Sequence, residues 1–565
     1  MSLLSSVSAT VISTNNLSVG DTLSSSSILN VGDTVVEGNL YVNGQIVTAT
    51  VPLGTVEARR TKSFDVRVTA AQNQYAVVPP AHPNNGDETS LTPLYIGQYS
   101  KGLQHDPVGN PDVTSYNSLL NAINTGLPSD FASILLGGAA GKQVNPQAAF
   151  CLPLEGADSA ALAIPPAPTF SSNERAGEMV ELYWMALLRD INFESYTGNL
   201  TVTAACNDLT AQLVFNGPKV GGAVTPATLF KIDYPGVLLG PFVSQFLLLP
   251  FSMGAQVVNQ QIKVPTAIAG NNFLKTVPLL TGVESGGPVT ETVTLDATLR
   301  YIRNGRDLAE WVHNDFPFQC GLNAVQILSS VNCPLNVGNP YKTSSTQAGF
   351  STFGGPHILQ LIAEVSTQAL RAAWFQKWNV NRTIRPEEYG LRIQQKQTGF
   401  APTYPISTQV LNSNGLAQTV ATQGGTSYLL SQAYPEGCPR HPAYPSGHAT
   451  VAGAISTVLK AWYDGSFTFA AGKVPDATPK VPDATGTTLN AYVGTLTVEG
   501  ELNKLASNIA QGRCIAGVHY RTDSTGGIQL GEQIAISVLR DQKLQFNENF
   551  AGFTFTKFDG TVITV

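Results

Sequence analysis

From about residue 56 onward, apolar residues recur mostly at helical spacing. In SNERAGEMVELYWMALLRDI (172–191) they follow a serine suited to cap a helix. HILQLIAEVSTQALRAAWFQKWNV (357–380) predicts a long, largely apolar helix. HATVAGAISTVLKAWY (448–463) sets Val451, Ile455, Val458, Leu459 and Trp462 on one face. ELNKLASNIAQGR (501–513) and GIQLGEQIAISVLRDQK (527–543) predict two more helices. Apolar arcs this wide belong in the interior of a bundle. The stretches 401–440 and 464–500 are rich in Pro, Gly, Ser and Thr and read as loops. Short strands are expected around FTFTKFDGTVITV (553–565).

The first 55 residues follow a different pattern. LSVGDT (17–22), LNVGDT (29–34) and LYVNGQ (40–45) repeat a short alternating strand that ends in a Gly-Asp or Asn-Gly turn. Such units bury no face alone and usually stack, within a chain or between chains. We expect a β-rich assembly segment over 1–55 and a helical domain over 56–565; a Ser/Thr-rich tail is the alternative for the former.

Composition narrows the function classes. The 565 residues allow more than one core, and 43% are hydrophobic against 13% charged, a globular balance. A net charge of −7 gives no electrostatic reason for a nucleic-acid partner. No apolar run is long enough for a bilayer, and the first residues lack the basic and apolar regions of a signal peptide, so a cytoplasmic location is the default expectation. The six cysteines (151, 206, 320, 333, 438 and 514) are scattered, and free buried thiols are expected; Cys320 and Cys333 are the pair that could close a loop.

Candidate chemistry concentrates in HPAYPSGHAT (441–450). With the helix starting at about His448, Ser446 and Gly447 fall at its N-terminus. Unpaired N–H groups and the positive end of the helix dipole favour an anion there, and glycine permits close approach. Serine as a plain N-cap is the commoner use. A multiply charged anion also needs cations. KWNVNRTIRP supplies Lys377 and Arg385, and GRCIAGVHYRTD supplies Arg513, His519 and Asp523. Arginine forks two hydrogen bonds to a tetrahedral oxyanion, and lysine adds a point charge. Isolated His82, His105, His313 and His357 are expected to be structural, and Arg382 and Arg521 salt-bridged or solvated.

The motifs K…RP, PSGH and R…H…D, in this order, resemble the signature shared by vanadium-dependent haloperoxidases and type 2 phosphatidic acid phosphatases. The Lys377–Arg385 spacing and His441, five before Ser446, resemble the algal bromoperoxidases. PPAPTFSSNERAGEMVELYWMALLRDINF, TVEGELNKLASNIAQGR, AGVHY and KFDGTVI are similar to red-algal sequence, and the likeness runs from about residue 60 to the end. There are departures. Gly512 stands where the phosphatases have serine, and Trp374 stands where red-algal enzymes have arginine. NPYKTSSTQAGF (339–350), comparable to the red-algal cation loop, carries no carboxylate, so structural calcium is doubtful.

The resemblance implies a mainly α, helical-bundle haloperoxidase fold with a few short strands, and an active site drawn from 370–525. It implies vanadate, vanadium(V), as cofactor, with His519 as the vanadium ligand and Asp523 as its acceptor partner. Lys377, Arg385, Arg513, Ser446 and Gly447 would hold the oxygens, and His448 would act as acid–base. Lys377 would also polarise the peroxide. His441 would tune the site and, with Trp374, line the halide pocket. The implied reaction is oxidation of bromide, and iodide, by hydrogen peroxide to hypohalite that halogenates organic acceptors, in a homo-oligomer, by resemblance a dodecamer. Two rivals remain. One is an acid phosphatase with His519 as nucleophile and His448 as acid. The other is a structural assembly protein with a vestigial anion site.

Overall fold

The computed structural model describes residues 53–565 and, before them, the backbone of four short strands. The chain divides into two compact units, Met1–Asn73 and Gln74–Val565. In the first, Ser6–Val7 pairs in parallel with Thr22–Leu23, and Leu40–Val42 pairs antiparallel with Gln45–Val47. The repeat at 29–34 and most of that at 17–22 lie outside the described residues. The third repeat coincides with the antiparallel pair. A helix, Val56–Tyr75, follows.

The second unit is built on helices. The Gly447–Trp462 helix packs on Gly355–Phe375, Val498–Ile515 and Arg521–Lys543. Every residue of Gly447–Trp462 except His448 is buried, not just the five-residue apolar face. Its polar side can be buried because its hydroxyls find backbone acceptors. Thr450 donates to the Ser446 carbonyl (2.8 Å), Ser456 to Leu502 (3.1 Å) and Thr457 to Gly453 (2.8 Å). The opposite helix approaches through glycines. A Cβ on Gly453 would meet the Ile528 carbonyl at 2.5 Å, and one on Gly531 would collide with the Thr450 carbonyl.

Three local features differ from the periodicity reading, and each positions the site. Arg521–Lys543 begins six residues before its apolar run, because Asp523 accepts the Tyr520 N–H (3.0 Å) and closes the first turn. The long helix ends at Phe375 and continues as one widened turn, Gln376–Asn381, with the Arg382 N–H bonded to the Lys377 carbonyl (2.9 Å). Arg382 then takes a positive φ of 42°, held by a forked ion pair to Glu88 (2.6 and 2.8 Å). The 401–440 stretch contains two short helices, Thr408–Leu411 and Asn414–Thr422.

Each described sheet is two-stranded, among them the C-terminal pair Thr554–Thr556 and Val562–Thr564. All six cysteines are free, and all but Cys151 are buried. No helix among the described residues is long and apolar enough to cross a membrane.

Candidate active site

Four stretches of chain converge on one buried point. The widened turn carries Lys377, and the residue before Pro386–Gln397 is Arg385. The N-terminus of Gly447–Trp462 brings Ser446, Gly447 and His448. The end of Val498–Ile515 and the loop after it bring Arg513 and His519.

The three cations are buried, and none bonds a carboxylate among the described residues. Lys377 Nζ donates to the carbonyls of Pro442 (2.6 Å) and Ala443 (2.8 Å). Arg385 Nε donates to the His441 carbonyl (2.8 Å), and its Nη1 to the Val518 carbonyl (2.6 Å). Arg513 Nη1 donates to the Val312 carbonyl (2.8 Å), while its Nε is buried without a partner. Carbonyls orient these groups but leave their charge uncompensated. Burial first, then Arg385, holds Lys377 well below its ordinary pKa, and burial also lowers Arg385.

The histidines adapt to that field. His519 Nδ1 lies 2.8 Å from Asp523 Oδ2, so Nδ1 carries the proton and Nε2 keeps its lone pair; Arg385 Nη1 is 3.1 Å from Nε2. Burial first, then Arg385 and Lys377, keeps His519 neutral. His441 is neutral for the same reasons, burial leading; its Nδ1 is 2.9 Å from Arg385 Nη2, and its ring lies 4.7 Å from that of Trp374. Trp374 Nε1 is fixed by the Val144 carbonyl (3.0 Å). Ser446 caps its helix, accepting the Ala449 N–H at 3.4 Å. A Cβ on Gly447 would stand 3.2 Å from the Trp374 ring.

His448 is the exception, with its side chain 29% exposed. Its Nε2 is 2.8 Å from Asp315 Oδ1, an aspartate that sequence reasoning did not single out. Asp315 belongs to HNDFPF, far from any motif, and only its contact reveals it. Tyr434, which stacks on His313 at 3.7 Å and lies beneath the Arg513 guanidinium, was likewise silent.

The residues set aside as structural have partners. His82 bonds the Ala160 carbonyl, His105 bonds Ser100, and His357 bonds Gln542 and the Phe353 N–H. His313 lies 2.5 Å from Glu436. Arg382 pairs with Glu88 and Arg521 with Glu181. No group of three or more His, Cys, Asp or Glu residues is placed to hold a metal ion among the described residues.

The arrangement fits an oxyanion. Three buried cations face neutral acceptors, one guanidinium N–H is unspent, a helix N-terminus opens beside them, and one imidazole lone pair points among them. Comparison with known proteins bears on which oxyanion. Residues 359–548 match the family model for the VCPO second helical-bundle domain. The chain is 32% identical to the vanadium-dependent bromoperoxidase of Corallina officinalis, covering 91% of this chain and 100% of that protein. It is 35% identical to that of Ascophyllum nodosum, covering 89% and 92%. Among solved structures, the homohexameric second vanadate-dependent bromoperoxidase of Ascophyllum nodosum superposes with a TM-score of 0.83 at 31% identity, covering 93% of this chain and 94% of that one.

Proposed function

This chain belongs to the family of vanadium-dependent bromoperoxidases, and we propose from that premise that it oxidises bromide, and iodide, with hydrogen peroxide. The hypohalite formed halogenates organic acceptors. The observation that carries this reading is the trio of buried cations without carboxylate partners around the His519 lone pair.

Bound vanadate supplies a Lewis-acidic vanadium(V) centre that activates peroxide toward halide without changing oxidation state. Everything else falls to the chain. Arg385, Arg513 and Lys377 hold the charge of the oxygens, each steered by a backbone carbonyl. The Ser446 hydroxyl and the Gly447 N–H complete the cradle at the helix N-terminus. His519 offers Nε2 as the ligand atom, and Asp523 fixes its tautomer. Asp315 fixes Nε2–H of His448, so Nδ1 is the atom that takes up and returns a proton. Lys377, held by burial well below its ordinary basicity, would hydrogen-bond an oxygen of the bound group and draw charge from it. Trp374 and His441 wall the halide approach.

The chain is a homo-oligomer. Six subunits, as in the solved Ascophyllum relative, replace the twelve expected from the resemblance to red-algal enzymes.

The test is titration of vanadate-free protein with orthovanadate, following peroxide-dependent bromination of monochlorodimedone. Saturable activation is expected, and His519→Ala is expected to remove it. Activation that survives this substitution overturns the ligand assignment. Hydrolysis of p-nitrophenyl phosphate as the main activity, suppressed by vanadate, would make the chain a phosphatase instead.

A further inference from the structure

Behind the cradle lies a second buried cluster that the reaction above does not use. The helix Pro386–Gln397 opens with Glu387 and Glu388, both buried. Glu388 accepts three hydrogen bonds: the Arg385 N–H (3.0 Å), the Ser100 N–H (3.0 Å) and the Ser100 hydroxyl (2.9 Å). Glu387 accepts from Lys101 Nζ (2.6 Å) and the Cys438 N–H (2.9 Å). Lys101 also donates to the Glu436 carbonyl (2.7 Å). Lys101 and Glu387 therefore pin residues 436–438. That stretch runs directly into 441–443, whose carbonyls hold Arg385 and Lys377.

Glu284, the last residue of the helix Val277–Glu284, completes this clamp. It is 2% exposed, and neither of its carboxyl oxygens has a hydrogen-bond donor. Lys101 Nζ is 3.9 Å away, too far for a hydrogen bond. The same ammonium is 2.6 Å from Glu387, so two buried carboxyls flank one cation and Glu284 is the one left without a donor. One proton between them resolves the conflict.

We propose that Glu284 is a protonated carboxylic acid that donates its hydrogen to Glu387. It is a positioning residue that completes the Lys101–Glu387 clamp and keeps a further negative charge away from the anion cradle. Burial first, then Glu387, pushes its carboxyl well above the ordinary range, outweighing Lys101. The sign follows. Below the ordinary carboxyl pKa the folded and unfolded chains are both protonated. Above it the unfolded chain releases a proton that the folded chain keeps, so this group lowers stability as pH rises. Ionisation in the folded state would also place negative charge behind the cradle and weaken anion binding. The protonation claim stands on the cluster alone; the link to the cradle rests on the vanadate reading.

Glu284→Gln keeps the shape and a donor for Glu387 without the titration. The infrared difference between wild type and Glu284→Gln near neutral pH is expected to contain a protonated-carboxyl carbonyl band. Finding only an ionised carboxylate band overturns the proposal. In thermal melts, Glu284→Gln is expected to match wild type in acid and to exceed it increasingly toward alkaline pH. A constant deficit at every pH overturns it. By calorimetry with orthovanadate, Glu284→Gln is expected to stay within about threefold of wild type, whereas Glu284→Ala, which opens the clamp, weakens binding at least about tenfold, or about 1.4 kcal/mol. Wild-type affinity in a folded Glu284→Ala variant overturns the positioning role. Should that variant not fold, the infrared and pH results on Glu284→Gln still decide. If vanadate fails to bind wild type while the carboxyl band is present, the vanadate reading fails and the protonated Glu284 survives.

Discussion

His448 and His519 show how a single neighbour divides labour between two imidazoles. Each has one ring nitrogen fixed by an aspartate at 2.8 Å, but His519 sits among three cations and His448 at the edge. Removing the edge aspartate should disturb proton transfer more than anion binding. Asp315→Asn is expected to lower kcat by about 10- to 100-fold with little change in vanadate affinity, read by steady-state bromination and vanadate titration in parallel. His313 gives a pH prediction of its own. Burial alone would lower its pKa, but the carboxylates of Glu310 (3.9 Å) and Glu436 (2.5 Å) raise it to about 9. A group raised above its unfolded value stabilises fully below that value, near pH 6.5, and the contribution fades as pH climbs through about 9. Because Glu436 is 40% exposed, the contribution is discounted to on the order of 1 kcal/mol. His313→Gln should therefore flatten the fall in Tm over that window. Eight candidate site residues were readable because K…RP, PSGH and R…H…D form one ordered signature, and His441 and Trp374 only through their spacing from it. Asp315, Lys101 and Glu284 were not, since ordinary charged residues far along the chain from the motifs carry no local signal. The carbonyls of Pro442, Ala443 and Val518 have no side-chain signature at all.

At the level of elements, two helices crossing on glycines set the spacing of the site. Gly447–Trp462 starts at the cradle, and Arg521–Lys543 starts two residues after His519, so their contact fixes Ser446 against Asp523. The Ser446 N–H bonds the Asp523 carbonyl at 2.9 Å. A methyl at Gly531 would force the helices apart. Gly531→Ala is expected to cost about 1–3 kcal/mol in chemical denaturation and to weaken vanadate binding with it. Gly447→Ala should be milder for the fold, since the Trp374 ring at 3.2 Å has to give by only a few tenths of an ångström, and should act mainly on anion affinity. The existence of the long helices was readable from period and breadth of apolar arc. Their ends were less so. The widened turn at Gln376–Asn381 follows from the Glu88 grip on Arg382, a contact across 294 positions that no local window contains.

For the whole molecule, a ligand that binds only the folded chain must stabilise it. At a hundredfold excess over Kd, orthovanadate should add about 2.7 kcal/mol, visible as a higher Tm that His519→Ala fails to show. Light scattering is expected to report an oligomer, as in the solved Ascophyllum relative, and a monomer would overturn that expectation. The helical bundle and its C-terminal strand pair were legible from patterning, and the division near Asn73 was not, because Val56–Tyr75 reads as helix on both sides of it. The buried thiols have a final consequence. An enzyme that releases hypohalite bathes itself in an electrophile that attacks sulfur first. Burial pushes Cys320 and Cys333 up to about 12 and Cys206 to about 11, so they stay as unreactive thiols. With only four methionines in the sequence, and Met179 and Met185 sealed inside, the catalyst offers its own product few targets, and so can complete many cycles before it is spent.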